Sequence, residues 1–545
     1  MLRNRYLFRL ILLSLTFLLV VPQVNASTAE LTELVDSLSV GGLNEKQQTI
    51  EKIAQIDHPI VEGLLKGLLE GEVYYLKETN KVYFRVESEE VTKIKDIFSD
   101  AIVREVDSFD VKKVSINNRI RKILKTELAK FDLLSPDNSK REAAVRKILE
   151  DSSSESVAPL RNLVEKERNE TIRELMQIAM AFVDAGPESK PETRLAAIEK
   201  MGESLSSEVK ARLEKLLLSE QALSGEERNS TIVAALKKSI SKMDSNLQRY
   251  AFMEKVFFGL SLGSVLLLAA IGLAITFGVM GVINMAHGEL IMIGAYTTYV
   301  VQLMMPNYIE YSLVVAVPAA FLISGLVGIA IERGVIRFLY GRPLETLLAT
   351  FGISLVLQQA VRSIFSPLNR SVETPEWMSG AMQINSALSL TYNRMYIIVF
   401  ALIVFALLLL LLKKTKLGLQ VRAVSQNRPM ANAMGIRSGW VDAMTFGLGS
   451  GIAGVAGVAL SQLTNVGPNM GQAYIIDSFM VVVFGGVGNL WGTLVGAMSL
   501  GVINKFLEPW AGAVLAKILV LVFIILFIQR KPRGLFPQKG RAAEG

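Results

Sequence analysis

Nine apolar stretches lie between residues 256 and 529, at about 256–278, 284–304, 312–331, 345–365, 395–412, 439–461, 474–489, 492–507 and 511–529. A helix needs roughly 20 apolar residues to cross a bilayer, so this half of the chain is predicted to be a polytopic helical membrane domain of about nine spans. Those near 284–304 and 474–507 are the ones most open to being re-entrant or broken. The overall hydrophobic content of 51% hides two unlike halves, because residues 27–250 are rich in Glu, Lys, Arg and Ser. Length alone would allow several domains. The composition shift argues for one polar domain and one membrane domain.

The N-terminus carries the three parts of an export signal. Arg3, Arg5 and Arg9 precede an apolar stretch from Leu10 to Val21, and Val24 and Ala26 suit a cleavage site before Ser27. The expected division is 1–26 signal peptide, 27–250 exported domain and 251–545 membrane domain. Basic residues cluster after the third span (Arg333, Arg337, Arg342), after the fifth (Lys413, Lys414, Lys416, Arg422, Arg428) and after the last (Arg530, Lys531, Arg533, Lys539, Arg541). With nine spans and an exported domain in front of them, all three clusters fall on the cytoplasmic side, as the positive-inside bias requires. The net charge of +7 is therefore read as loop bias rather than a nucleic-acid footprint.

Residues 28–70 and 88–245 read as helices, with Ile116, Ile120, Ile123 and Leu124, and Leu195, Ile198, Met201 and Leu205, at helical spacing. Between them, two β-prone runs flank Thr79-Asn80 within Glu72–Val86 and predict a small hairpin. The stretches from Arg141 (REAAVRKI) and from Arg194 (RLAAIEKM) look related, and each is followed by a Ser-rich turn and another helix. This suggests HEAT-like helical pairs that bury a shared face. His58 is the only histidine of this half, and the domain reads as a docking platform rather than a catalytic one.

Polar residues among the apolar runs are the candidates for a solute path, since lipid does not hydrate them. Gly281-Val-Ile-Asn-Met-Ala-His-Gly-Glu-Leu places Asn284, His287 and Glu289 beside two glycines. A helix broken here would offer free N–H groups at a half-helix start; a capped turn between two spans is the alternative. Thr350, Gln358 and Gln359 in the fourth span and Asp477 in the seventh are further candidates for the bundle interior. The motifs Gly447-x-x-x-Gly451, Ala453-x-x-x-Gly457 and Gly488-x-x-x-Gly492-x-x-x-Gly496 permit close helix packing. Lys416–Ile436 is amphipathic: Leu419, Val424, Met430 and Met434 offer apolar contacts, and Arg422, Gln426 and Asn427 polar ones. It is either a solvated loop or a short helix that inserts into a partner's groove.

Several chemistries are excluded. The chain has no cysteine, and one His with one Glu makes no metal-ligand set. No Gly-Lys pair occurs, so there is no phosphate-binding loop and no ATP hydrolysis is expected of this chain alone. No cofactor and no enzymatic activity are expected.

Residues 256–540 resemble the branched-chain amino acid permease family of ABC importers. GVMGVINMAHGELIMIGAY at 278–296, TKLGLQVRAVSQNRPMANAMGI at 415–436 and KPRGLF at 531–536 carry the likeness. Within it, the urea permease branch is the more similar, on ETPEWMSG at 373–380, TYNRMYII at 391–398, DSFMVVVFGGVGNLWGT at 477–493 and NKFLEPWAGAVLAKILVLVFIILFIQ at 504–529, and on a long exported extension. Thr391 stands where a proline is expected, which bears only on the local loop. The resemblance implies an all-α polytopic permease behind an exported, mainly helical domain, in the inner membrane of a bacterium. The implied partners are a second permease subunit, two cytoplasmic ABC ATPases and a periplasmic solute-binding protein. Leu419, Arg422, Gln426, Asn427, Met434 and Gly435 would belong to the helix that docks in an ATPase. Urea is the expected solute, with branched-chain amino acids or short amides as the alternative. A sensor or scaffold whose helices only anchor it is the reading from another class.

Overall fold

The computed structural model describes residues 24–56, 58–87, 92–99, 101–107, 109–151, 154–223 and 228–536. The basic leader and apolar stretch read as an export signal lie outside the described residues. The chain divides into two compact units, Met1–Asp244 and Ser245–Gly545, and the division falls within one helix, Ser230–Met280.

The described residues of the first unit begin with three helices, α1 (Val24–Ser37), α2 (Leu43–Ala54) and α3 (Ile60–Glu70). Five strands follow: β1 (Val73–Leu76), β2 (Val82–Glu87), β3 (Thr92–Asp96), β4 (Ile102–Val106) and β5 (Val111–Lys113). They form one antiparallel sheet in the order β4-β3-β2-β1-β5. The expected hairpin is present as β1 and β2, with Val73 opposite Phe84 and Tyr75 opposite Val82. The expectation of helix from 88 onward is corrected up to Lys113, and with it an all-α description of this unit. The run TKIKD has a single apolar residue and IVREV groups its apolar and charged residues in pairs, so neither shows the period-two alternation that marks a strand in sequence. Helix resumes at α4 (Asn118–Asp132), whose N-cap Asn117 accepts from the Ile120 N–H at 2.8 Å.

Helices α5 (Asn138–Asp151), α6 (Ser154–Leu163), α7 (Glu170–Asp184), α8 (Pro191–Met201) and α9 (Ser207–Ala222) pack around a core that includes Ile148, Leu160, Phe182, Ile198 and Leu213. The two related stretches start α5 and α8, and each is fastened alike. Arg141 donates to Glu167 from Nε at 2.8 Å and Nη2 at 3.0 Å, and to the Ser135 carbonyl at 2.8 Å. Arg194 binds Glu220 and the Ala185 carbonyl. Both ion pairs join residues 26 positions apart. A two-pronged guanidinium–carboxylate pair is directional as well as charged. The Arg141 hydrogen bonds hold the Glu167 carboxyl below the usual carboxylate range. A depressed carboxylate pKa contributes stability that is present at neutral pH and lost as pH falls through the folded value. Glu167→Gln should therefore cost about 1.5–3 kcal/mol and flatten the acid limb of this unit's unfolding curve. Thermal melts between pH 3 and 7 check both effects.

The second unit is a helical bundle. Its elements are α10 (Ser230–Met280), α11 (His287–Met304), α12 (Ile309–Gly334), α13 (Pro343–Phe365), the hairpin β6 (Ala381–Asn385) and β7 (Leu388–Thr391), α14 (Tyr392–Lys414), α15 (Lys416–Gln426), α16 (Arg428–Ala433), α17 (Ser438–Ser461), α18 (Met470–Gly485), α19 (Leu490–Ala511) and α20 (Ala513–Arg530). Among the described residues, seven helices are long and apolar enough to cross a membrane: α10, α12, α13, α14, α17, α19 and α20. The other two of the nine expected spans form helices that are shorter or more polar than these. Helix α11 has 18 residues but carries His287 and Glu289, and it starts only after the unwound segment 281–286. Helix α18 has 16 residues, which at 1.5 Å per residue span about 24 Å, short of a hydrocarbon core of roughly 30 Å.

Close backbone contact builds the centre of the bundle, where α17 packs on α11 and α12. A Cβ placed on Gly294 would lie 2.0 Å from the Gly454 carbonyl oxygen, and one on Gly457 would lie 2.0 Å from that of Ile291. The C-terminal KPRGLF segment folds back on the end of α18. The N–H groups of Leu535 and Phe536 donate to the carbonyls of Phe484 and Gly485 at 2.9 and 3.1 Å, and Asn489 Nδ2 donates to Phe536 O at 3.2 Å.

Candidate functional site: a broken helix and an exposed helical hairpin

The break between α10 and α11 is written locally. Gly281 takes φ +67°, and its N–H reaches Phe277 O at 3.0 Å, ending α10 in the left-handed conformation that glycine accepts. The chain then runs without helix to Ala286. Asn284 Oδ1 accepts from the Ala286 N–H at 3.0 Å, and Thr350 Oγ1, on α13, accepts from the Met285 N–H at 3.1 Å. These N–H groups, expected to be free for a solute, are already taken; Asn and Thr side chains readily substitute for solvent at such turns.

What remains unpaired lies on side chains. Asn284, His287 and Glu289 are all buried to within 1% of full burial. His287 Nε2 donates to the Ala269 carbonyl at 2.8 Å, because a carbonyl can only accept, which leaves Nδ1 as an acceptor without a partner. Glu289 Oε1 accepts from Ser354 Oγ at 3.0 Å and Gln358 Nε2 at 2.7 Å, while Oε2 has no partner. Asn284 Nδ2 is an unpaired donor. Unpaired buried polar atoms cost free energy and call for an explanation.

Of the residues singled out from sequence, Asn284, His287, Glu289, Thr350 and Gln358 are therefore brought into one region on α11, α13 and the segment between α10 and α11. Asp477 is buried but shares no hydrogen bond with them: it pairs with Lys517 of α20 at 2.9 Å. Gln359 is exposed, which corrects its placement in the bundle interior. Ser354, one turn before Gln358 on α13, was missed; its small hydroxyl in an apolar helix gave no signal without knowledge of what lies opposite. Arg362, a further turn along, is engaged by Asn469 at 2.7 Å.

The second feature is the segment 416–434. It is helical, as its amphipathic pattern suggests, but in two pieces, α15 and α16. Thr415 Oγ1 caps α15 by accepting from the Gly418 N–H at 3.2 Å, and Asn427 Oδ1 caps α16 by accepting from the Met430 N–H at 3.0 Å. Arg428-Pro429 after Asn427 fits a fresh helix start, since proline suits the first turn. Val421, Val424 and Ala431 turn inward against Val441, with Val279 packed beside them. Leu419, Arg422, Gln426, Asn427, Met434 and Gly435 all face outward. Leu419, Met430 and Met434 are 62%, 60% and 77% exposed, a group of apolar side chains held in solvent by a well-capped scaffold.

The family model for the permease component of the branched-chain amino acid transport system matches residues 255–528. The high-affinity branched-chain amino acid transport system permease protein BraD of Pseudomonas aeruginosa is 29% identical over 295 residues, covering 52% of this chain and 96% of that protein. The corresponding permease LivH of Escherichia coli K12 is 30% identical over 295 residues, 52% of this chain and 95% of its own. The ribose import permease RbsC of Bacillus subtilis is 32% identical over a shorter 111 residues, 19% of this chain and 34% of its own. No solved structure matches.

Proposed function

The chain belongs to the branched-chain amino acid transport permease family, and on that premise we propose that it is the membrane subunit of an ATP-driven importer whose solute is urea. Since the chain has no phosphate loop, the ATPases are separate subunits, and the outward face of α15 and α16 is their docking surface. A second permease subunit completes the pathway and a solute-binding protein delivers to it. The first unit is an exported, HEAT-like docking platform, and with α11 and α18 crossing as shorter helices to make nine passes, 415–436 and the C-terminus are cytoplasmic. Transport is by alternating access: nucleotide in the partners shifts the bundle between two states because it binds them unequally.

The observation that carries urea is the set of unpaired atoms at 284–289. Asn284 Nδ2 is a donor; His287 Nδ1 and Glu289 Oε2 are acceptors. Urea has one carbonyl acceptor and four N–H donors, and needs no cationic counter-group. A site with fixed hydrogen-bonding groups rejects solutes that leave them unpaired. The second reading is a branched-chain amino acid, favoured by the names of the relatives. That solute carries a carboxylate, and among the described residues no cationic side chain hydrogen-bonds to Asn284, His287 or Glu289.

The test is uptake of labelled urea at low concentration in cells with and without this chain, in a strain lacking other urea routes, with unlabelled leucine or acetamide as competitors. Loss of uptake on deletion, with leucine a poor competitor, is expected. Unchanged urea uptake, or strong competition by leucine, sinks the urea assignment. Asn284→Ala and His287→Ala should each slow uptake by about tenfold, the equivalent of one lost hydrogen bond to the solute, with the complex still assembled. Normal rates in both variants would remove 284–289 from the pathway.

A further inference from the structure

We propose that Arg428 is the positioning residue through which the outward helical hairpin moves the helices that hold the buried polar cluster. The inference rests on the reading of α15 and α16 as the ATPase-docking surface. Most polar bonds of that hairpin are local: Thr415 and Asn427 cap their own helices, and Asn432 Oδ1 accepts from the Ser438 N–H at 3.3 Å. Arg428 is different. Its guanidinium donates to both carboxylate oxygens of Asp442, from Nη1 at 3.3 Å and from Nη2 in a shorter contact, and lies 4.0 Å from the centre of the Tyr340 ring. Asp442 is in the second turn of α17, with its side chain 4% exposed. Tyr340 lies in the turn that leads into α13.

One side chain therefore touches the two elements on which the polar cluster depends. Helix α13 supplies Thr350, Ser354 and Gln358. Helix α17 packs along α11, which supplies His287 and Glu289. The planar guanidinium makes this double grip possible: one edge forms the two-pronged bond to the carboxylate while the face stacks on the ring. Apolar contact of Val421 and Val424 with Val441 can slide as the hairpin moves. The Arg428–Asp442–Tyr340 contact is directional, so a displacement of α16 is passed to α17 and to the start of α13. Glu332 and Arg333, 3.6 Å apart, lie nearby as a separate pair, with Arg333 over Trp440.

Removing Arg428 alone would strand the buried Asp442 charge and could unfold the region. The informative variant is the double substitution Arg428→Gln with Asp442→Asn, which leaves no buried charge. It should be compared with Arg428→Lys, which keeps the charge without the fork or the stack. Each is assembled with the ATPases and reconstituted in proteoliposomes; ATP hydrolysis and accumulation of the solute that the wild-type complex takes up are read together. The expected result for the double variant is an assembled complex that hydrolyses ATP within about twofold of wild type and accumulates solute at least tenfold more slowly, with Arg428→Lys in between. Accumulation within twofold of wild type overturns the proposal, and so does parallel loss of hydrolysis and assembly, which would make Arg428 a docking or folding residue only. Failure of the docking reading is distinguishable, because it shows as normal assembly and uptake when Leu419 and Met434 are replaced.

Discussion

Replacing Leu419 and Met434 together by aspartate is expected to abolish ATP-driven uptake while the chain still inserts and folds. Both side chains point into solvent and take no part in the hairpin's inner core, formed by Val421, Val424, Ala431 and Val441. The fold therefore has little reason to respond. A partner that buries them does: apolar anchors at the centre of an interface are worth about 2 kcal/mol or more each, and a charge in their place adds desolvation cost. Two such losses weaken association by roughly a thousandfold. Co-purification of the ATPases with the double variant measures this directly. Arg422→Ala or Gln426→Ala, at more solvated positions, should cost tenfold or less. Full association of the double variant would show that the exposed group serves something else.

The second large effect is expected at Gly294. Its neighbour across the α11–α17 contact is the backbone of Gly454, which cannot swing aside as a long side chain would. Small residues drive helix association in a membrane by letting backbones approach. Gly294→Leu should separate α11 from α17 at a cost of about 3 kcal/mol or more and displace His287 and Glu289 with it. Loss of the folded protein from detergent extracts, measured as the fraction surviving size-exclusion chromatography, reports the effect. Gly281→Ala is a contrast: no atom lies near its absent side chain, but its φ of +67° penalises any other residue by about 1 kcal/mol, so it should weaken the break without splitting the bundle.

Much of the membrane unit was legible because hydrophobic length is a direct physical requirement. All nine apolar stretches lie in helices, eight of them within a few residues of their expected ends; the first forms the C-terminal half of α10, which begins at Ser230. The two shorter or more polar helices, α11 and α18, lie in the regions most open to being broken, at Asn284–Glu289 and after Met470. The strands Thr92–Asp96 and Ile102–Val106 are not legible in sequence: neither five-residue run has a clear alternating pattern, and it is pairing of β3 with β2 and of β4 with β3 that selects strand over helix. In the site, Asn284, His287 and Glu289 stood out because polar groups in lipid need a reason. Their partners did not. Ser354 and Gln358 matter because α13 crosses α11 at Glu289, a long-range fact that no local spacing contains. For the same reason the pairing of Asp477 with Lys517, from another helix, is not legible in the sequence. The Arg428 contact with both Asp442 and Tyr340 likewise depends on three separate segments.

The central claim is that this chain carries solute across a membrane only when partner ATPases work on the side of Lys416–Ile436. Proteoliposomes holding the assembled complex test it most directly, with the solute-binding protein and labelled urea on one side and ATP confined to the side of that segment. The account predicts accumulation of urea above its outside concentration, dependent on ATP and lost with Leu419→Asp/Met434→Asp. Equilibration of urea that is indifferent to ATP, or no urea transport by a complex that hydrolyses ATP, would contradict it.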